Sequence, residues 1–338
     1  MKSKKIAVLG TGAQGASIGA DLVLAGLDVT YIEQWPAHVE AIRQHGLTVN
    51  YPTRTVRTQV KAIHLCQVAE LREMFDIVLL VVKAYDTKWS CQLIEPYLKP
   101  DGLLCGVQNG MTIDAIADVV GVHRTMGAVI EIASNMWDPG VTNRQNDHDT
   151  SWFTVAGLVP STQARAHEIA EILRLTGTVE ISDDIRSSKW MKLVVNAAEL
   201  VPSAILDMPL AAAARAPGML EFMRQCGYEA VRAAIAAGNK IVPIFGLTID
   251  PSRPEKVVDD LFQAVLTTYS MEDTLTTTLQ DWRKGRRGEV DDVHGEVIRQ
   301  LAKIGQPAPA NLRVFEVARE IELGQRRAGI HNREVLLS

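Results

Sequence analysis

The stretch KIAVLGTGAQGASIGA, residues 5–20, decides the fold. Its apolar run Ile6–Leu9 predicts a strand, and the pattern over Ala16–Ala25 predicts a helix. Between them stands G-x-G-x-x-G, at Gly10, Gly12 and Gly15. In this context the first glycine permits a tight turn, the second lets a pyrophosphate approach, and the third lets the helix pack on the strand. With the positive end of the helix dipole, the loop, including Gln14, predicts a dinucleotide site rather than a glycine turn without a ligand.

The next predicted strand, Val29–Ile32, is followed by Glu33. A carboxylate at this position usually binds the ribose hydroxyls of NADH and would repel the additional phosphate of NADPH. The alternative is a surface glutamate that follows a strand. We therefore expect NADH or NADPH as cofactor, with Glu33 favouring NADH.

Strands and helices alternate over residues 1–182, which predicts an α/β domain with a doubly wound Rossmann sheet. The further predicted elements are strands at Ile77–Val82, Leu103–Val107, Gly127–Ile132 and Trp152–Ala156, and helices at Ala37–Gln44 and Thr162–Leu173. Residues 183–330 show helical patterns only and predict an all-helical C-terminal domain. Its predicted helices are Trp190–Leu206, Leu220–Ala237, Pro254–Thr268, Glu289–Ile304 and Asn311–Gly324. Residues 331–338 are expected to form a frayed tail.

Bulk properties exclude several classes of function. The 338 residues carry a formal net charge of -5 without a basic stripe, which argues against a nucleic-acid partner. The longest apolar run, Ile77–Val82, is too short to cross a membrane, and the N-terminus lacks the apolar region of a signal peptide. The four cysteines have no metal-ligand spacing, so we expect a cytoplasmic protein that needs no metal. The basic run at 283–287 is interpreted as a solvated loop.

One helix carries an unexpected polar line. In WMKLVVNAAELVP, residues 190–202, Lys192, Asn196 and Glu199 are spaced so that they share one face of a helix. That face meets either water or a site. A lysine among apolar residues loses solvation, which lowers its pKa toward neutrality, whereas a nearby carboxylate limits that fall. The alternative is a lysine that extends its ammonium into solvent.

Other polar residues stand where a site is expected. Lys83 follows the predicted strand Ile77–Val82, and Asn109 follows the next strand. The carboxyl ends of parallel strands face the ligand crevice, although each residue could instead satisfy a local loop. Glu289 begins a predicted helix, where the helix dipole alone would favour it.

Taken together, the motifs GTGAQG, VVKAYDT, GVQNGM, WMKLVVN and LQDWRKGRRGEVDDVHGEVIRQLAKIGQPAPANLRV resemble the ketopantoate reductase family, in family order from about residue 5 to 314. The resemblance implies a Rossmann domain followed by a helical domain of the 6-phosphogluconate dehydrogenase type, with the active site in the cleft between them. It also implies that a nicotinamide hydride reduces the ketone of a small 2-oxo acid.

The resemblance assigns roles to individual residues. It implies that Lys192 protonates the carbonyl oxygen and that Glu289 holds a substrate hydroxyl and helps to place the lysine. Lys83 and Asn109 would line the nicotinamide side, while Asn196 would hold the substrate. Thr277 stands where the family usually has serine, so the substrate carboxylate is expected to be held differently.

The sequence departs from the family after Asn196. The family usually has a second asparagine four positions on, followed by proline, whereas here Leu200 fills that position and Pro202 comes one residue late. We hypothesise that Glu199 takes part of the missing amide's place and changes which 2-oxo acid is accepted. The alternative is a bulge that turns Glu199 toward water.

Two other functions fit parts of the pattern. One is an opine or β-hydroxyacid dehydrogenase, and the other is a non-catalytic regulator that senses dinucleotides. Neither a membrane nor a nucleic acid is expected as a partner, and a homodimer is possible.

Overall fold

The computed structural model describes residues 4–338. The chain forms two compact units, Met1–Ile185 and Arg186–Ser338. The sequence places this division at 182/183. In the described part of the chain, no helix is long and apolar enough to span a membrane.

Unit 1 is built on an eight-stranded sheet in the order β12-β11-β8-β7-β6-β1-β2-β5, and a small second sheet has the order β4-β3-β10-β9. The strands are β1 (Lys5–Leu9), β2 (Asp28–Glu33), β3 (Leu47–Asn50), β4 (Thr55–Thr58), β5 (Lys61–His64), β6 (Phe75–Leu80), β7 (Leu98–Val107), β8 (Thr125–Glu131), β9 (Ser134–Asn135), β10 (Val141–Arg144), β11 (Trp152–Gly157) and β12 (Thr178–Ile181). Within the large sheet only β8 and β11 pair antiparallel. The doubly wound sheet is confirmed, with this antiparallel pair as an addition; the small sheet was not predicted.

Helices cover both faces of the large sheet, which is why its central strands are buried along their length. The helices of unit 1 are α1 (Ala13–Leu24), α2 (Pro36–His45), α3 (Thr87–Ile94), α4 (Ile113–Val120), α5 (Pro160–Gln163) and α6 (Ala166–Leu173). The single helix predicted over Thr162–Leu173 is wrong: the chain forms α5 and α6 with a break between them. Helices α3 and α4 were not predicted, because each is only eight residues long.

Unit 2 is all-helical over its described length, as predicted. Its helices are α7 (Ile185–Ile205), α8 (Leu210–Arg215), α9 (Met219–Ala236), α10 (Pro254–Ala264), α11 (Thr277–Arg283), α12 (Glu296–Ala302), α13 (Pro309–Glu322) and α14 (Arg333–Leu337), with π-helical turns at Val265–Tyr269 and Asp291–Gly295. The helix predicted over Glu289–Ile304 therefore consists of a π turn followed by α12.

The expected frayed tail at 331–338 is wrong. Those residues include α14, whose Leu336 is fully buried. The Asn332 side-chain amide donates to the carbonyl of Ile205 at the end of α7, at 3.1 Å. Burial of an apolar side chain and a buried amide fixes this segment, although its composition gave no strong helix signal.

Candidate active site

The glycine loop after β1 has one glycine that the packing of unit 1 does not explain. A Cβ on Gly10, whose φ is +87°, would lie 2.7 Å from Val82 Cγ1, and one on Gly15 would lie 2.1 Å from the Gly10 carbonyl oxygen. A Cβ on Gly12 would meet nothing within 4 Å. Gly12 is the N-cap residue of α1, and the first turn of α1 has no acidic side chain. The space before the helix N-terminus therefore suits an anionic pyrophosphate.

The polar loops of unit 1 lie side by side at the carboxyl ends of neighbouring strands. The sheet order β7-β6-β1-β2 brings together the ends that carry Asn109, Lys83, Gly10 and Glu33. The Val81 N–H donates to the Leu9 carbonyl at 2.8 Å, and the Gly10 N–H donates to Ile32 at 3.0 Å. Since β1 has β2 on one side and β6 on the other, the chain reverses its winding here, which is where open α/β sheets bind ligands.

Gln108 ties two of these loops together. Its buried amide donates to the Val82 carbonyl at 3.0 Å and to the Thr87 hydroxyl at 2.9 Å. It thereby links the loop of Lys83 to the loop of Asn109; both of those residues are half-buried. Sequence reasoning missed Gln108, although a glutamine directly after a buried strand was visible in GVQNGM.

Glu33 is buried, with 7% of its surface exposed, so a surface glutamate is the wrong interpretation. Its Oε2 accepts hydrogen bonds from the Thr11 amide at 2.6 Å and the Thr11 hydroxyl at 2.9 Å. Its Oε1 accepts from the Trp35 amide at 2.9 Å. The carboxylate thus holds the glycine loop against the end of β2, a role that the sequence did not reveal. Gln14, on α1, donates to the Ile132 carbonyl at 3.2 Å.

The polar line on α7 in unit 2 does not face water. Lys192, Asn196 and Glu199 are 6%, 0% and 5% exposed. Lys192 Nζ lies 3.5 Å from Glu199 Oε1, so the ion pair runs along one face of the helix. The alternatives of a solvent-extended lysine and of a Glu199 turned to water are therefore wrong. Two buried charges are tolerated because each compensates the other.

The helix continues through the extra residue without a bulge that expels Glu199. Pro202 lies inside α7 and cannot donate a backbone hydrogen bond. The Ser203 hydroxyl donates to the Glu199 carbonyl at 2.7 Å, and the Thr276 hydroxyl donates to Leu200 at 2.9 Å. These hydroxyls supply hydrogen bonds to the carbonyls around the proline and help keep this part of α7 helical.

Several buried polar atoms here have no hydrogen-bond partner among the described residues: Asn196 Nδ2, Asn196 Oδ1 and Thr277 Oγ1. A buried polar atom without a partner costs about 1–3 kcal/mol, so proteins retain few of them. Asn196 lies one helical turn after Lys192, and Thr277 begins α11. Their unsatisfied atoms are what a site for a polar ligand requires.

Phe245 is a further neighbour of Lys192, and sequence reasoning missed it. Lys192 Nζ lies 5.4 Å from the centroid of the Phe245 ring. The ring also packs against Tyr269, with a centroid distance of 5.0 Å. No motif marks Phe245 in the sequence, because this contact depends on the loop between α9 and α10.

Glu289 lies two residues before the second π turn and is 6% exposed. The preceding Gly288 N–H donates to Glu322 Oε1 at 2.8 Å, and this bond fixes the backbone before Glu289. Burial, followed by the negative charge of Glu289, raises the pKa of Asp292 to about 6. The basic run nearby has Arg283, Arg286 and Arg287 exposed and Lys284 half-buried, as expected for a surface loop.

Among residues 4–338, no group of three potential His, Cys, Asp or Glu ligands could hold a metal. None of the four cysteines, all of which lie within residues 4–338, forms a disulfide, and Cys66 is exposed.

A glycine-cradled helix N-terminus at the switch point of a doubly wound sheet, joined to a helical unit with a buried lysine, defines a nicotinamide-dependent reductase. The family model described as Ketopantoate reductase PanE/ApbA matches residues 6–156, and its C-terminal counterpart matches residues 184–322. The chain therefore belongs to the ketopantoate reductase family and is an NAD(P)H-dependent oxidoreductase of the 2-dehydropantoate 2-reductase type.

Individual relatives span nearly the whole chain. A 2-dehydropantoate 2-reductase of Archaeoglobus fulgidus is 25% identical over 96% of this chain and 100% of its own length. The crystal structure of a PanE/ApbA family ketopantoate reductase from Ralstonia eutropha JMP134 is 28% identical, with a TM-score of 0.79, over 95% of this chain and 99% of that one. D-mandelate dehydrogenase with NADH and anilino(oxo)acetate, at 22% identity and a TM-score of 0.83 over 95% and 99%, shares the fold.

Proposed function

We propose that this chain reduces the ketone of a small 2-oxo acid to the 2-hydroxy acid and that Lys192 supplies the proton. The observation that carries the proposal is the buried Lys192, one turn before an asparagine whose amide atoms have no hydrogen-bond partner among residues 4–338. Negative charge develops on the carbonyl oxygen during reduction, and a nearby ammonium stabilises that charge before giving up its proton.

Residues of unit 1 would hold the nicotinamide cofactor, which supplies the hydride when bound. Gly10, Gly12 and Gly15, with the first turn of α1 at Gln14, would receive the pyrophosphate. The open space at Gly12 supports this assignment. Glu33 would face the adenosine ribose, and Lys83 and Asn109 would orient the nicotinamide side. The proposal for these last residues rests on their positions at adjacent strand ends.

Residues of unit 2 would bind and orient the substrate. Asn196 and Thr277 would donate hydrogen bonds to its carboxylate or carbonyl oxygen, because their buried polar atoms lack other partners. Glu289 would accept a hydrogen bond from a substrate hydroxyl and help to place Lys192. Glu199 would keep the lysine protonated while it awaits substrate.

Glu199 also bears on the identity of the substrate. A buried carboxylate beside the proton donor disfavours additional negative charge and suits a hydroxyl-bearing or cationic side chain. The curated relative is named for 2-dehydropantoate, whereas one structural neighbour holds an arylamino oxoacid. We propose that the preferred 2-oxo acid presents a hydroxyl or a cationic group, and not an anionic one, toward Glu199.

The proton-donor role predicts a severe defect in Lys192→Ala. With 2-dehydropantoate and a panel of 2-oxo acids, we expect kcat to fall about a thousandfold, because general acid catalysis contributes factors of this order. The control is Lys256→Ala, which removes an exposed lysine of α10. Cofactor affinity, measured by fluorescence titration, and thermal unfolding verify that the variant is intact.

Retention of wild-type turnover by an intact Lys192→Ala protein would refute the proton-donor role. A wild type that binds NADH tightly and reduces no 2-oxo acid would refute the reductase proposal and favour a dinucleotide sensor.

We further propose that NADH is preferred over NADPH. The buried Glu33 carboxylate, fixed by Thr11 and Trp35, would repel the 2′-phosphate. In Glu33→Gln, the amide oxygen can still accept from Thr11, so the charge is removed while the Thr11 contacts are kept and only the hydrogen bond from the Trp35 amide is lost. We expect the ratio of kcat/KM for NADH to that for NADPH to fall about tenfold. This factor corresponds to the loss of a charge repulsion of about 1.4 kcal/mol. Glu40→Gln, an exposed change on α2, is the control, and an unchanged ratio in Glu33→Gln would contradict the preference.

A further inference from the structure

Phe245 is held in a backbone conformation that phenylalanine rarely adopts. Its φ is +62°, in the left-handed region, and the following Gly246 has a φ of +68°. A left-handed conformation strains a residue with a bulky side chain, and such strain persists only where the surrounding structure enforces it. Here the adjoining Ile244 is fully buried and the ring packs on Tyr269. The packing therefore holds the ring in a defined position despite the backbone strain.

That position brings the ring to Lys192. The ammonium nitrogen lies 5.4 Å from the ring centroid and 3.5 Å from Glu199 Oε1. A cation within about 6 Å of an aromatic face is attracted by the ring quadrupole, most strongly when water is excluded. Lys192 is 6% exposed, so this condition is met. The surrounding loop, IVPIFGLTI at 241–249, contains no charged residue.

We propose that Phe245 is a positioning residue for Lys192, and that its ring and the Glu199 carboxylate together hold the ammonium in place for proton transfer. The inference rests on the proposed role of Lys192 as proton donor. The ring adds what a second carboxylate could not: it attracts the cation without adding a negative charge that would repel the substrate. A glycine at this position would remove the backbone strain and also remove the ring.

Stepwise fluorination of the ring tests the proposal. Site-specific replacement of Phe245 by mono-, di- and trifluorophenylalanine withdraws electron density from the ring face and changes its size little. The expected result is a progressive shift to lower pH of the alkaline limb of kcat/KM for 2-dehydropantoate. At a pH above that limb, the loss of activity should reach about tenfold for the trifluoro ring. Phe245→Trp should retain the wild-type profile, and Phe245→Leu should behave like the trifluoro variant.

The fluorinated variants change only the Phe245 ring, so the other titratable side chains of these elements are the same in every variant. They are Lys189 and Glu199 on α7, Tyr269 beside the ring, and Glu289 before the π turn. The matched control is the same fluorination at Phe262, a buried phenylalanine of α10, which should leave the pH profile unchanged.

The outcomes separate the two proposals. If Lys192→Ala abolishes turnover but fluorination at position 245 leaves the pH profile unchanged, the positioning role is refuted and the proton donor stands. Equal shifts at positions 245 and 262 would also refute it. If Lys192→Ala retains wild-type turnover, the proton-donor role fails, and the positioning role that rests on it fails as well.

Discussion

Each unit buries one cation beside a carboxylate and an aromatic ring, and the two arrangements differ in how tightly the cation is held. In unit 1, Arg144 lies 2.8 Å from Asp21 and 5.6 Å from the centroid of the Tyr51 ring. In unit 2, Lys192 lies 3.5 Å from Glu199 and 5.4 Å from the centroid of Phe245. The similarity of the two settings makes their differences informative.

The Arg144 cluster is closely knit. Its terminal guanidinium nitrogens also donate to Thr176 and Ser151, and the Asp21 carboxylate accepts from Thr176 and Tyr51 as well. Burial acts to raise the pKa of Asp21, but the His148 ring, whose Nε2 lies 3.1 Å from the carboxylate, and hydrogen bonds from Thr176 and Tyr51 hold it below its ordinary value. Burial lowers the pKa of Arg144, yet a guanidinium keeps its proton throughout the physiological range.

The Lys192 cluster has the opposite character. Lysine can release a proton, its carboxylate is more distant, and the amide atoms of the neighbouring Asn196 have no hydrogen-bond partners in the described part of the chain. Its aromatic neighbour is in a strained conformation, whereas Tyr51 is absent from the left-handed residues. The same three chemical groups thus stabilise the fold where both terminal nitrogens of the cation are hydrogen-bonded, and are proposed to serve a reaction where a neighbouring amide is left without partners.

The largest effect on stability is expected from breaking the unit 1 pair. Arg144→Met leaves Asp21 as a buried charge without its cation, and we expect the free energy of unfolding to fall by about 3–5 kcal/mol. Chemical denaturation measures the loss. Asp21→Asn combined with Arg144→Met should recover part of it, because no uncompensated charge remains. Arg215→Met, which breaks an exposed pair with Glu272, should change stability by less than about 1 kcal/mol.

If Arg144→Met were as stable as the wild type, the structural role assigned to this cluster would be wrong.

A smaller effect is expected from His294 in unit 2, whose pKa burial lowers to about 4. The unfolded histidine takes up a proton near pH 6.5 and the folded one does not, so stability is fully present above pH 6.5 and is lost as the pH falls to 4. The free energy of unfolding falls by about 3 kcal/mol over this pH range. In His294→Gln this loss should disappear, so the stability difference from wild type shrinks on acidification in denaturation series from pH 7.5 to 4.

Asp292, with its raised pKa, titrates in the opposite sense and over a similar range, but it is present in both proteins and cancels in the difference. His167→Gln, an exposed change, should parallel the wild type at every pH. A constant difference between His294→Gln and wild type would contradict the assignment.

The smallest effect is expected from Glu199→Gln. It removes the carboxylate charge beside Lys192, which is the feature that this cluster shares with the Arg144–Asp21 pair. Without the adjacent negative charge the ammonium loses its proton more readily, so the alkaline limb of kcat/KM should move to lower pH by about one unit. The order of preference among 2-oxo acids should also shift toward more anionic substrates. Glu255→Gln, on the exposed side of α10, provides the control. An unchanged substrate order would exclude Glu199 from substrate selection.

The sequence predicted what short-range patterns encode. The strand, glycine loop and helix at the N-terminus follow from one contiguous stretch, and the Rossmann class and the helical character of unit 2 are confirmed. The shared face of Lys192 and Glu199 also followed from helical spacing. Their burial did not follow, because periodicity states which residues lie on one face and leaves open what covers that face.

Contacts between segments that are distant along the chain could not be predicted from the sequence. Phe245, Gln108 and Glu322 act through loops whose paths depend on packing, and the pairing of Glu33 with Thr11 requires the sheet to be assembled first. The small sheet was missed because its strands are only two to four residues long. The ordered structure of residues 331–338 depends on the buried Asn332 amide and Leu336. Two single residues produce no periodic pattern in the sequence.

The empty space at Gly12 has a practical consequence for separating folding from ligand binding. The φ of Gly12 is −62°, which alanine adopts readily, and beyond its chain neighbours no atom of residues 4–338 lies within 4 Å of the added methyl group. Gly12→Ala should therefore cost the protein no more than about 1 kcal/mol, mainly through a poorer helix cap. The methyl group would stand where the pyrophosphate is proposed to lie. The added methyl group would then block the dinucleotide site without unfolding the protein. Gly12→Ala would therefore serve as a folded control whose signal is subtracted in measurements of dinucleotide binding.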